Sequence, residues 1–429
     1  MKGHFFLFSL LILSQSVWAL TYEEALKTAS ENSHDLKVLR LESESASWGE
    51  TKTRAGYLPT LELEGRHLFK ERFEELEVPF GNEIFVMPAI QPYSAMGVSA
   101  DLNIFNGLRT VNEMQAAHME KKASESRLER TQEEVRAGIR TLFYRALAAE
   151  TLVHVAEQNI QTLESHLNDV TARIRSGVST RYDSLRVEVQ LEDAKTEKVA
   201  ADDSVGVARS RLFEALGVPD DGKPLEGKLP EDFSRVDLKK LQPLPENRSD
   251  RTALVADRDR LHSLSAASKA HWMPSVSLFG NYEWYNNINH ELTGDDERFK
   301  SAYALGVKFR WNLFDGGADY ASQKQAALAA QIAEQNLAKF DQNVPTDMEL
   351  AKRKFSYNVV NYNSKLISIH KAEEAVRLAR GGVRAGTRTN TEVLDAVVDL
   401  NRARAAVIRS QVEAIEALGQ LELALGHPL

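Results

Sequence analysis

Apolar and polar residues alternate in four stretches of the chain. Leu61, Leu63 and Gly65 stand between Glu62, Glu64 and Arg66, and Met96, Val98, Ala100, Leu102 and Ile104 flank Ser99, Asp101 and Asn103. The rhythm returns at Val276, Leu278, Gly280, Tyr282 and Trp284, against Ser275, Ser277, Asn281 and Glu283. It returns again at Tyr303, Leu305, Val307, Phe309, Trp311 and Leu313, against Lys308, Arg310 and Asn312. Period two predicts β-strands with one apolar and one polar face. Runs of about 10 residues have the length a tilted strand needs to cross a bilayer, although a soluble antiparallel sheet with one buried face alternates in the same way. Tyr93, Trp284, Tyr285, Tyr303 and Trp311 stand near run ends, where an aromatic girdle would sit. A polar loop is expected between the first two runs.

The rest of the chain carries helical patterns. A helix is predicted from Thr21 to about Gly56 and another from about Asp250 to Ala270, each stopped by the restriction that Pro59 or Pro274 imposes on the chain. From about Gly107 to Ser176, and from Gly317 to Ala385, Ala, Glu, Gln, Arg, Lys and Leu dominate. Each such run of about 70 residues would extend on the order of 100 Å, a coiled-coil length. Gly138 and Pro345 interrupt them, predicting local bends, with close helix packing as the other reading of Gly138. Gly177 and Gly386 end the long helices, and return helices follow from about Asp183 to Leu216 and from about Glu392 to Leu425. The opening helices would supply the height that the shorter return helices lack.

These elements occur twice, at an offset of 209 to 215 residues. Asn32-Ser33-His34-Asp35 returns as Asn247-Arg248-Ser249-Asp250, and Asn103-Ile104-Phe105-Asn106-Gly107 as Asn312-Leu313-Phe314-Asp315-Gly316. Arg175-Ser176-Gly177 and Arg384-Ala385-Gly386 keep the register. One structural unit is thus used twice: residues 20–217, then 248–429. Between them, residues 218–247 hold Pro219, Pro224, Pro230, Pro243 and Pro245, which reads as a partly structured belt midway along the helices or as a disordered linker.

Lys2, the apolar run Phe5 to Leu13 and the small Ala19 read as a signal peptide over residues 1–19. The chain has no cysteine, which removes disulfides, thiolate metal sites and a lipidated Cys. Its net charge of -9 argues against nucleic acid as a partner. Its 11 His lack metal spacing, and no nucleophile elbow or phosphate loop is present, so no enzyme and no cofactor is expected. The seven Met do not cluster, which gives no support to a soft-metal route.

Four strands cannot enclose a lumen, and an open edge in hydrocarbon leaves backbone groups unpaired at several kcal/mol each. Two copies would give a filled barrel and three a channel, so the geometry favours a trimer. On that reading Glu62, Glu64, Asp101 and Glu283 face the lumen and suggest cation preference, which Arg66, Lys308 and Arg310 oppose.

The duplication, Gly56-Tyr57-Leu58-Pro59 before the first strand, Leu102-Asn103-Ile104-Phe105-Asn106-Gly107 after the second, and Gly386-Thr387-Arg388-Thr389 with Val393-Leu394-Asp395-Ala396 resemble the TolC-like outer-membrane channels of Gram-negative bacteria. The resemblance implies an α+β membrane protein: two tandem repeats giving four strands to a trimeric 12-stranded transmembrane β-barrel, plus long helical hairpins forming a periplasmic tunnel. It implies a homotrimer in outer-membrane lipids, docked on a periplasmic adaptor (membrane fusion protein) and an inner-membrane pump or ABC transporter, for efflux or type I secretion. Arg388 would be the latch cation and Asp183 its acidic partner in a neighbouring hairpin, with Glu392 and Asp395 forming acidic rings at the constriction. Both latch residues also read as plain caps of their turns. Ser176, Gly177, Val178 and Ser179, with Ala385, Gly386 and Thr387, would contact the adaptor. Glu392 stands where the best-known member has Asp. A soluble periplasmic coiled-coil adaptor without a pore is the competing account.

Overall fold

Two helices of 67 residues each, Arg109–Arg175 (α3) and Ala318–Arg384 (α6), set the scale of the protein. The computed structural model describes residues 19–69, 75–88, 94–241, 246, 248–286 and 299–429. The expected signal peptide, apart from Ala19, and Tyr93, Pro243, Pro245 and Asn247 lie outside those residues. The chain divides into two compact units, to each of which α3 and α6 contribute.

One unit, Glu42–Glu125 with Ala253–Ala338, holds the sheet. Its strands are Thr60–His67 (β2), Ser94–Phe105 (β5), Ser275–Asn286 (β7) and Lys300–Arg310 (β8), antiparallel in the order β2-β5-β7-β8. The register puts Leu61 beside Ala100, Val98 beside Tyr282 and Tyr282 beside Tyr303, so the apolar sets of all four strands share one face. That face lies bare: Leu61 is 74% exposed, Tyr303 81% and Leu305 76%. Glu62, Asp101, Asn281 and Lys308 belong to the other face.

Two expectations fail here. Strand β8 ends at Arg310, paired with Ser275, so Trp311 and Leu313 lie beyond it. The next residue of β7 would be Pro274, which has no N–H to continue the ladder. The supposed polar loop contains a hairpin, Glu75–Phe80 (β3) with Glu83–Pro88 (β4), turned at Gly81 with φ +66°. Pro79, Pro88 and the acids Glu75, Glu77 and Glu83 mask its period.

The other unit, described from Ala19 to Leu41 with Ser126–Thr252 and Lys339–Leu429, is helical. Its short strands Leu20–Thr21 (β1) and Leu225–Glu226 (β6) pair in parallel. The return helices are Arg181–Leu216 (α4) and Asn390–Leu425 (α7), 36 residues each. The first opening helix is broken at Ser33 into Tyr22–Asn32 (α1) and His34–Arg54 (α2), where Ser33 leaves helical geometry at ψ 124°. Ser249–Ser268 (α5) opens the second repeat.

Three apolar clusters hold this unit. Ala25, Ala29, Phe143, Leu212, Leu216 and Leu225 pack α1, α3, α4 and β6 together. Phe233 of the connecting segment packs with Phe355 and Tyr362 of α6 and with Ile415 and Leu421 of α7. That anchor and β6 show the described part of the segment to be ordered against the helices. Where α4 ends, Gly217 takes φ +71°, and a Cβ there would lie 2.7 Å from the Asn32 carbonyl at the end of α1. The ends of α1 and α4 therefore abut. Helix α3 runs through Gly138 and α6 through Pro345 without losing helical assignment. Among the described residues a Cβ at Gly138 would meet nothing within 4 Å, so close packing within one chain does not explain that glycine.

Candidate gate at the hairpin tips

Both hairpins turn by the same backbone device. Gly177 and Gly386 adopt φ +76° and +74°, a left-handed conformation that costs glycine nothing. Gly177 N–H donates to Ile174 O and Val178 N–H to Arg173 O; Gly386 N–H donates to Val383 O and Thr387 N–H to Gly382 O. This 6→1, 5→2 pair satisfies the last carbonyls of each long helix. Three residues later a threonine caps the return helix, Thr180 for α4 and Thr389 for α7.

The contents of the two turns differ. Asp183 closes a capping box: its Oδ2 accepts from Thr180 N (2.9 Å), Thr180 Oγ1 (2.8 Å) and Ser179 Oγ (2.9 Å). The Thr180 N–H bond, chief among these, holds the carboxyl below its ordinary range. Glu392 fills the equivalent position in the second tip through bonds of 3.4 Å with Thr389. Its Oε2 also sits 3.7 Å from Arg388 Nη1, one helical turn away. Asp395, three residues on, is exposed on the same face of α7.

Within one chain Arg388 and Asp183 are not joined. Ser179 links the tips instead, accepting from Asn390 Nδ2 at 2.9 Å while donating to Asp183. Arg186 Nη1 donates to Thr391 Oγ1 at 2.9 Å, and Arg173 to Val383 O at 3.3 Å. Behind this polar seam, Leu163, Leu191, Val376, Val393, Leu394 and Val397 form a buried floor. Ser176, Gly177, Val178, Ala385, Gly386 and Thr387 are exposed, Val178 at 76%.

Sequence reasoning missed Asn390, Arg186 and Gly382. A Cβ on Gly382 would fall 2.7 Å from Arg388 Cγ and 3.1 Å from its Cβ, so the Arg388 side chain lies across bare helix backbone. Asn390 lies inside the Thr389-Asn390-Thr391-Glu392 signature that marks the helix start, whereas a glycine inside a helix gives no sign of what covers it. His166 on α3 is a further buried group. Burial above all, with Arg380 and Arg173 nearby, lowers the pKa of its imidazole, and Asp169 only partly opposes them.

The family model described as "Outer membrane efflux protein" matches residues 25–218 and 241–427. Outer membrane protein TolC of Vibrio cholerae is 22% identical over 420 residues, spanning 96% of this chain and 92% of TolC. The proteases secretion protein PrtF of Dickeya chrysanthemi is 23% identical over 263 residues, 59% of this chain and 55% of PrtF. The Campylobacter jejuni CmeC outer membrane channel has a similar fold, with TM-score 0.75 at 14% identity over 94% of this chain and 85% of CmeC.

Proposed function

Because this chain belongs to the outer membrane efflux protein family, we propose that three copies close one 12-stranded barrel in the outer membrane and continue into a periplasmic tunnel of helices. The observation that carries this is the sheet. One face is apolar and bare, and β2 and β8 each pair on one side only among the described residues. In hydrocarbon such edges must be joined to strands of other copies, because nothing else there can satisfy their backbone groups. The tunnel conducts what a periplasmic adaptor and an inner-membrane pump or ABC transporter deliver, as efflux or type I secretion. Family membership sets aside the soluble adaptor account.

The tips are the gate. Every Asp183 bond within the described chain lands on Oδ2, which leaves Oδ1 to accept from Arg388 of a neighbouring hairpin. Among the described residues the one ion pair of the Arg388 guanidinium is its 3.7 Å contact with Glu392, and exposed pairs of that kind are worth about 0.2–1 kcal/mol. It can therefore exchange partners at small cost. Glu392 and Asp395, repeated around a three-fold axis, then form acidic rings that attract cations. The exposed turns Ser176–Ser179 and Ala385–Thr387 are the adaptor contacts.

Single-channel conductance in planar bilayers tests this reading. The wild type should form small pores, and Arg388→Ala and Asp183→Ala should both enlarge them. Thr180→Ala removes the cap but keeps the carboxylate, so it should stabilise less yet leave the latch acid in place. Pores that ignore both latch substitutions would remove the Arg388–Asp183 assignment and leave the channel standing.

A further inference from the structure

The charges on the polar face of the sheet are sorted by level. Nearest the strand ends that follow Pro59 and Pro274, Arg310 stands opposite Ser275, and Lys308 opposite Ser277. Asp101 comes next, between Thr60 and Phe279. Glu62 follows, opposite Ser99, and then Glu64 and Glu283, the two cross-strand partners of Gly97. At the far end Arg66 and Lys300 share a level through Ala95 and Tyr285. From one end to the other the face is basic, then acidic, then basic.

Summed over the sheet these charges cancel, which is why the sequence alone leaves charge preference open. In space they do not cancel. Levels on one face are two residues apart, about 6.6 Å along a strand. Glu62 lies two levels, about 13 Å, from Lys308 and from Arg66 and Lys300, beyond the Debye length of about 8 Å at physiological salt, while Asp101, Glu64 and Glu283 each lie one level, about 6.6 Å, from a basic belt. Asp101 is partly neutralised at the border, with Lys308 Nζ 4.0 Å from its Oδ1. Among the described residues no ion pair joins Glu62, Glu64 or Glu283 to a cation. Gly97 leaves room between the last two: a Cβ there would lie 3.1 Å from Glu283 Cγ, so that side chain would have to shift by a few tenths of an ångström.

We propose that Glu62, Glu64, Asp101 and Glu283 form an acidic belt inside the barrel that makes its wall select cationic over anionic solutes, bounded by the Arg66–Lys300 and Lys308–Arg310 belts. This rests on the outer-membrane channel reading above, which turns the polar face inward. Selectivity is then set in the barrel wall as well as at the helical tips.

The test is the reversal potential of purified protein in planar bilayers under a KCl gradient. Wild-type pores should prefer potassium, and Glu62→Gln/Glu64→Gln/Glu283→Gln should lower the potassium-to-chloride permeability ratio about threefold or more, toward unity. Arg66→Gln/Lys300→Gln, which leaves the acidic belt untouched, should raise the ratio. If both variants conduct with the wild-type ratio, while Glu392→Gln/Asp395→Asn abolishes the preference, the belt is overturned and selectivity belongs to the tips alone. If no form of the protein makes pores, the channel reading fails, and the belt fails with it.

Discussion

The two hairpin tips share a backbone and divide the work between them. Each ends a long helix at a left-handed glycine and starts the return helix at a threonine, so their turns have the same hydrogen bonds. In the first, the acid is bound tightly into its own cap by Thr180 and Ser179. In the second, the acid is loosely capped and faces an arginine that lies over a glycine. On the gate reading proposed above, one repeat supplies a fixed acceptor and the other a movable donor. Duplication gives two copies of a turn, and a few side chains give them different tasks.

The sharpest way to break this contrast is at Gly382. A methyl group there displaces Arg388 at its Cβ and Cγ, so Gly382→Ala should raise single-channel conductance several-fold, as is expected of Arg388→Ala. Gly381→Ala, whose added Cβ would meet nothing within 4 Å, should leave the conductance unchanged. Equal effects from both would mean that the helix, rather than the arginine, carries the gate.

Cap removal comes next. Thr180→Ala should cost about 1 kcal/mol, and Thr389→Ala distinctly less, because its bonds with Glu392 are longer. Urea titration of the purified protein would rank them, and the reverse order would remove the distinction between a tight and a loose tip. Acid should weaken the first tip. The depressed pKa of Asp183 means that its contribution is present above the ordinary carboxylate range and lost as pH falls through the folded value.

The smallest effect concerns His166. Its folded pKa is lowered, so the buried imidazole is neutral, and stability declines as pH falls below the free-imidazole value of about 6.5 toward the folded one. His166→Gln should flatten that part of a thermal-stability profile between about pH 7 and 5. An unchanged slope would place the acid sensitivity elsewhere.

What the sequence discloses follows from how local each cause is. Leu61 and Leu63, or Leu305, Val307 and Phe309, advertise their strand because the period survives intact. Gly177 and Gly386 are legible because a left-handed turn demands a residue without a Cβ. The β3–β4 hairpin stays hidden because prolines and acids erase its alternation. Trp311 misleads because a strand ends where its neighbour runs out of donors, and Pro274 lies 37 residues away in the chain. The Arg388–Gly382 contact and the layered belts are tertiary facts, set by which backbone passes beside which, so no window of sequence contains them.

The helix lengths carry one more consequence, for how such a chain can be altered. The two repeats share few residues, yet their long helices both count 67 and their return helices both count 36. Deleting one residue from a helix turns everything beyond it by about 100° and draws it back by about 1.5 Å. A substitution changes one side chain, but a deletion in α3 would swing Asp183 and Ser179 away from Asn390 together. Spelling in these helices is negotiable, and counting is not.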